Sequence, residues 1–300
     1  MLLQFAKLHG LGNDFVVVDA RSGGQANGRW PALAAQAQVT LVQSVCDRHT
    51  GIGADGVLLW TGSLAAPRMT VINADGSQPE MCGNGLRCFV KYLADLHGVL
   101  GDAIAVETGA GLRTCRLFRD AAGQVTEVAI DMGQADWSAD AVHLDQKEPM
   151  IAQAWRLSGH DFELSALSMG NPHAVTFSPF VPDALQVLGP QLSNHPQFLQ
   201  QTNVEFVRVE GQGDALRLVV SVFERGCGWT QACGTGATAV AFEALRRGIT
   251  QQNREVAVVL PGGSLLIAIG DNGRAVMRGP AKLVFTGSLD LDPWLAGGAA

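Results

Sequence analysis

No run of apolar residues in the chain approaches the ~20 needed to cross a bilayer as a helix, which argues against a membrane span. The opening residues, MLLQFAKLHG, lack the basic start and apolar core of an export signal. Lysine and arginine nowhere cluster into a run. With a net charge of −7, this works against a nucleic-acid or membrane-surface partner. There is no Cys-x-x-Cys and no His-x-x-x-His, so no metal site is expected. Six cysteines, Cys46, Cys82, Cys88, Cys115, Cys227 and Cys233, in a chain of 300 residues without an export signal point to reduced thiols rather than a disulfide framework. A cytoplasmic protein follows as the expectation, and the 47% hydrophobic content is ample for a sizeable core.

What is present is a short stretch that occurs twice. Glu80-Met81-Cys82-Gly83-Asn84-Gly85-Leu86-Arg87 and Gln231-Ala232-Cys233-Gly234-Thr235-Gly236-Ala237-Thr238 share Cys-Gly-x-Gly about half the chain apart. Each runs into a segment of helical periodicity: Leu86, Phe89, Val90, Leu93, Ala94 and Leu96 before a stop at Gly98, and the small-residue run Gly236 to Arg247. A thiol at a helix start meets unpaired N–H groups and the positive end of the macrodipole. It is expected to lose its proton more easily than an ordinary thiol, whose pKa is ~8.5. The same N–H groups suit a carboxylate.

Elsewhere the pattern is mostly strands and glycine turns. A turn at His9 to Asp14 separates two short strands, residues 21–29 read as a loop, and Pro31 opens a helix predicted to run to about His49. Gly51-Ile-Gly-Ala-Asp-Gly56 fits the G-x-G-x-x-G dinucleotide fingerprint in the wrong context, with a helix before it and a strand after, and is read as a turn. Pro179 to about Phe198 reads as a helical segment. The pattern restarts near Asp131. The fold class expected is α+β: two pseudo-symmetric halves, each a curled, mostly antiparallel or mixed sheet wrapped round a central helix, with an active-site cleft between them. The halves are drawn as residues 1–130 with 277–300, carrying Cys82, and 131–276, carrying Cys233.

A single cysteine of this kind is more often a small buried hydrophobe. The matched pair is not explained that way. Two equivalent thiols have the symmetry a stereoinversion needs: one thiolate removes a proton from one face of a carbon, and the opposite thiol returns a proton to the other. A nucleophilic cysteine hydrolase would call for one cysteine and a histidine partner. The bland readings of the neighbouring polar residues are turn chemistry for each Asn, a satisfied side chain for His173, and a surface pair for Glu224-Arg225.

The motifs His9-Gly-Leu-Gly-Asn-Asp-Phe15, Gly51-Ile-Gly-Ala-Asp55, Asn73-Ala-Asp-Gly76, Cys82-Gly-Asn-Gly85 with Arg87-Cys88, Gly170-Asn-Pro-His173, Glu224-Arg-Gly226, Ala232-Cys-Gly-Thr-Gly236 and Pro261-Gly-Gly-Ser264 span nearly the whole sequence. In them the chain resembles the diaminopimelate epimerases, the pyridoxal-independent enzymes that interconvert LL- and meso-diaminopimelate in lysine and cell-wall precursor biosynthesis. The resemblance implies Cys82 and Cys233 as the acid/base pair, working without a cofactor. It implies Asn13, Asn73, Asn84, Asn171, Asn203, Glu224 and Arg225 as substrate contacts. The backbone at Gly83, Asn84, Gly234 and Thr235 would hold the α-carboxylate. His173 and Glu224 would tune the thiols, and the chain would form a homodimer. Arg87 reads as a structural partner, and Cys46, Cys88 and Cys115 as core. Three departures stand out: Gly56 where several members have Gln, Trp229, which would pack over the rim of the cleft, where many have Glu, and Cys227 where many have a small apolar residue. Two other readings remain beside this one, a proline racemase or hydroxyproline epimerase, disfavoured by Asn84 and the His9–Phe15 motif, and a silent module that captures small carboxylates.

Overall fold

Leu2–Gly10 (β1) and Asn13–Asp19 (β2) form the first hairpin, with Gly10 opposite Asn13. Its two turn residues, Leu11 and Gly12, both have positive φ, 57° and 85°, the geometry that matches the twist of paired strands. The computed structural model describes residues 2–21, 23, 30 and 33–290, and these fall into two compact units, Met1–Ile130 with Gly279–Ala300 and Asp131–Arg278. The loop predicted over 21–29 lies largely outside the described residues, as does Pro31.

In the first unit a helix, Ala35–Cys46 (α1), begins later than the proline-led expectation and leads into Gly56–Gly62 (β3) and Pro67–Asn73 (β4). The Gly51–Gly56 segment is the turn between α1 and β3. β3 runs parallel to β2 and antiparallel to β4. Then come Gly83–His97 (α2), Ala103–Thr108 (β5), Gly111–Arg119 (β6) and Val125–Gly133 (β7). β5 lies parallel to β4 and antiparallel to β6, and the last strand, Lys282–Asp290, pairs antiparallel with β1. α2 packs on β1, β2 and β4 and is buried from Gly83 to Ala94; its stop is Gly98, left-handed at φ 75°. Leu96, counted in the apolar stripe, is exposed instead.

The second unit repeats the scheme. Ala139–Val142 (α3) precedes Gln153–Leu157 (β8), His160–Ser168 (β9) and Pro172–Thr176 (β10). Pro182–Ser193 (α4) is the helical part of the 179–198 segment. Asn203–Glu210 (β11), Arg217–Glu224 (β12), Gly228–Trp229 (β13), Gly234–Arg246 (α5), Val256–Leu260 (β14), Gly263–Ile269 (β15) and Ala275–Pro280 (β16) follow. β10 is parallel to β11, β11 antiparallel to β12, β12 parallel to β14, and β14 antiparallel to β15. This is the order β2, β3, β4, β5, β6 of the first unit, with α5 in the place of α2. α5 is buried almost throughout because Ala237, Ala239, Ala241 and Ala244 let the strands approach closely. The expected α+β architecture of two like halves, each a mixed sheet around a helix, is the observed one.

Trp229 is half-buried, with its rings against apolar neighbours. It packs edge-on to Phe223, with ring centroids 5.4 Å apart, and lies 6.1 Å from Phe206, joining the apolar cluster around Leu188 and Leu192. An indole this large contributes more by burying its rings than by lining water.

Candidate active site

Both repeated cysteines are the N-cap residues of their helices. Cys82 has φ −137° and ψ 109°, Cys233 φ −123° and ψ 113°, and each sulfur accepts the N–H three residues on, Gly85 or Gly236, at 3.3 Å. Serine or aspartate would usually fill this position; here the capping atom is a cysteine sulfur. Cys82 is half-buried and Cys233 buried. Cys46, Cys88 and Cys115 are buried too, and burial pushes each thiol up to about 12. Cys227 is exposed.

The second glycine of each motif is needed for space. A Cβ on Gly236 would sit 2.5 Å from Glu205 Oε1 and 3.3 Å from the Cys233 sulfur. Gly236→Ala, which in an open helix would stabilise, is therefore expected to destabilise the fold by about 1–3 kcal/mol. Thermal unfolding checks this, and an unchanged or raised midpoint would contradict it.

In the first unit, Asn13 and Asn84 are brought together. Asn84 Nδ2 donates to Asn13 Oδ1 at 3.2 Å, and Asn13 Nδ2 donates to Asp55 Oδ2 at 2.7 Å. At the other end Arg87 Nη2 donates to Asn84 Oδ1 at 2.8 Å. A guanidinium can only donate and a carboxylate can only accept, so the two ends fix the orientation of both amides. Asp55 is held in turn by Arg48, which also binds Asp14. Asn73 stands apart at the end of β4 and donates to Ser77 Oγ at 2.9 Å. Gly56 leaves no room for a side chain on this backbone: a Cβ there would meet the Ile72 carbonyl oxygen at 2.8 Å.

In the second unit, Asn203 Nδ2 donates to the Pro172 carbonyl at 3.0 Å and its Oδ1 accepts the Arg225 N–H at 2.9 Å. The Arg225 guanidinium itself donates to the Gln200 carbonyl. Glu224 accepts from Thr230 Oγ1, and Thr235 Oγ1 lies 3.4 Å from the Cys233 sulfur. Gly83 and Gly234 open the two helices beside their cysteines.

His173 is fully buried, its Nδ1 2.7 Å from Glu205 Oε1 and its Nε2 3.0 Å from Asn171 Oδ1. Glu205 escaped the sequence reading. The available signal was a glutamate inside Asn-Val-Glu-Phe-Val, a strand of buried residues, where a charge needs a partner. Burial raises the Glu205 carboxyl, against the pull of His173. Cys233 reverses the expectation of an acidified thiol. Burial pushes it well above its usual range, and the charges of Glu224 and Glu205 add to this. The Thr235 hydroxyl and Gly236 N–H act the other way and are outweighed. Glu224 thus adds to the upward push on Cys233, and His173 is paired with Glu205, which does so too.

Among the described residues no helix is long and apolar enough to cross a membrane, and no cluster of three or more His, Cys, Asp or Glu is arranged to hold a metal. The two-unit architecture has counterparts among solved structures. It superposes on a hydroxyproline epimerase from Agrobacterium vitis with a TM-score of 0.66 at 13% identity, covering 97% of this chain and 92% of that one. A phenazine biosynthesis protein from Bacillus anthracis gives 0.66 at 13%, covering 97% and 99%. At such identities these establish the fold alone. The sequence goes further. The diaminopimelate epimerase family model matches residues 5–138 and 165–284. The chain is 41% identical to the diaminopimelate epimerase of Desulfitobacterium hafniense over 291 residues, 96% of this chain and 98% of that protein, and 40% identical to that of Synechocystis sp. over 299 residues, 97% and 100%. The chain belongs to the diaminopimelate epimerase family and is an isomerase.

Proposed function

We propose that the protein interconverts LL- and meso-diaminopimelate in lysine and cell-wall precursor synthesis by two-base proton transfer, with Cys82 and Cys233 as the two groups and no cofactor. The observation that supports this best is the matched N-cap geometry of the two thiols. One thiolate takes the α-proton and the electron pair passes into the substrate carboxylate. The other thiol then protonates the opposite face. An amino acid α-proton is weakly acidic, so the carboxylate needs donors. The helix starts at Gly83–Asn84 and Gly234–Thr235 would supply them, at about 3–4 kcal/mol per well-placed donor towards the ~8 kcal/mol minimum of an ordinary enzyme. Asn13, Asn73, Asn171, Asn203, Glu224 and Arg225 are proposed as substrate contacts, with the Asp55–Asn13–Asn84–Arg87 chain fixing two of them. The protein is further proposed to work in the cytoplasm as a homodimer. The exposed Val284 and Phe285 of the last strand are in keeping with such pairing, which sedimentation tests.

The test of the reaction is incorporation of deuterium at the α-carbon of LL-diaminopimelate in D₂O without added pyridoxal phosphate, with meso product formed at the same time. Exchange on proline or hydroxyproline but not on diaminopimelate would replace this reading by the racemase one. Binding without any exchange would replace it by a capture module.

A further inference from the structure

Asn13 is the first residue beyond the Leu11–Gly12 turn and lies opposite Gly10, so the hairpin fixes its backbone. Its side-chain amide carries an oxygen on one arm and two N–H groups on the other, and a half-turn exchanges them. The arm it offers decides whether it takes an anion or a cation. In Asn13 both arms are engaged: Nδ2 donates to Asp55 Oδ2 at 2.7 Å, and Oδ1 accepts from Asn84 Nδ2 at 3.2 Å. The second Nδ2 hydrogen has no partner among the described residues. In this orientation Asn13 has a donor left to give. Turned over, it would set its oxygen against Asp55 Oδ2, two acceptors with no proton between them.

Asp55 is itself held firmly. Its N–H donates to the Asp14 carbonyl and its carbonyl accepts the Ala74 N–H, both at 2.9 Å. Oδ2 also accepts the Asp14 N–H at 3.0 Å, and Oδ1 accepts from Arg48 Nη2 at 2.7 Å. A lone acid in this place would repel an anionic ligand, but the charges around it cancel. Arg48 Nη2 also reaches Asp14 Oδ1 at 2.7 Å, and the buried Lys7 pairs with Asp14 Oδ2 and donates to the Gly53 carbonyl. Two carboxylates thus face two cations. Arg48 and Asp55 are 56% and 40% exposed, and pairs this exposed stabilise a fold little. Their effect on Asn13 explains the arrangement better than their effect on folding does.

We propose that Asp55, held by Arg48, is a positioning residue that keeps Asn13 a donor, so that Asn13 takes an oxygen of one substrate carboxylate and turns away an ammonium or an amide N–H₂ group. This rests on the reading of Asn13 as a substrate contact given above. Asp55 acts on the substrate through Asn13. An asparagine at 55 can face Asn13 with either arm, so the variant Asp55→Asn no longer dictates which arm Asn13 offers.

The experiment is a double-mutant cycle on the full chain, with wild type, Asp55→Asn, Asn13→Ala and the double variant. Calorimetry gives the Kd of diaminopimelate and of its two monoamides, beside KM and kcat for epimerisation. Asp55→Asn is expected to raise Kd and KM for diaminopimelate about tenfold, the loss of one charge-assisted hydrogen bond, with kcat changed less than about threefold. In the Asn13→Ala background the same change should add less than about twofold, because its route to the substrate is gone. The preference for the diacid over one of the two monoamides should fall about tenfold in Asp55→Asn. A residue that merely supported the fold would cost the same with or without Asn13 and would leave that preference alone. Additive losses in the cycle, an unchanged preference against both monoamides, or an unchanged Kd in Asn13→Ala would each overturn the proposal. Asp55→Ala replaces Asp55→Asn should the latter fail to fold. None of these results touches the two-base reading, which falls instead if the wild type binds diaminopimelate without α-deuterium exchange.

Discussion

Alanine at Cys82 or at Cys233 is expected to abolish epimerisation, each by itself. General acid–base groups typically contribute 10²–10⁴-fold. In a two-base inversion neither can cover for the other, because each serves one face of the carbon. The residual thiol of either variant is still attached to the first turn of its helix, so substrate binding should fall far less than turnover. The measurement is the rate of meso product formation beside the substrate dissociation constant. Turnover within about tenfold of wild type in either variant contradicts the assignment, whereas weak binding with normal turnover would make the cysteine a contact rather than a proton carrier.

Glu243→Ala is expected to produce the largest loss of stability. Glu243 lies on α5, fully buried, and gathers four donors. Its Oε1 accepts from Ser165 Oγ at 2.9 Å, Arg246 Nη2 at 2.7 Å and Arg247 Nε at 2.6 Å, and its Oε2 from Arg246 Nε at 2.7 Å. Removing it leaves Ser165 without its buried acceptor and opens a void under the helix. The two arginines are 32% and 20% exposed and can turn towards water, so the cost falls at the lower end of the range for breaking a buried pair, about 3 kcal/mol. Urea unfolding would show a lower midpoint at an unchanged slope. Glu243→Gln, which keeps the volume and one acceptor, should lose less. A loss under about 1 kcal/mol for the alanine variant would show that the arginines, not the carboxylate, hold this corner.

Much of the fold was readable from local order. The spacing of Leu86, Phe89, Val90 and Leu93 put α2 where it is, Gly98 stopped it, and Cys-Gly-x-Gly placed a sulfur at the mouth of each of two central helices. These features depend on neighbours within one or two turns, so a linear text carries them. α1 starts at Ala35, later than its proline suggested, and the ring partners of Trp229 could not be read from the chain, because Phe206 and Phe223 arrive from other strands.

By itself, then, the sequence determined the two-half plan, the pair of thiols and the reaction class, since each is written in repeated short motifs. Only the tertiary structure decided what surrounds each sulfur. Asp55 comes to Asn13 from 42 residues away and Pro280 to Arg87 from 193, and Glu205 comes to His173 from 32. Coulomb and desolvation energies depend on distance in space and on exclusion of water, neither of which is written in chain order. That is why two nearly identical motifs come to sit in different surroundings.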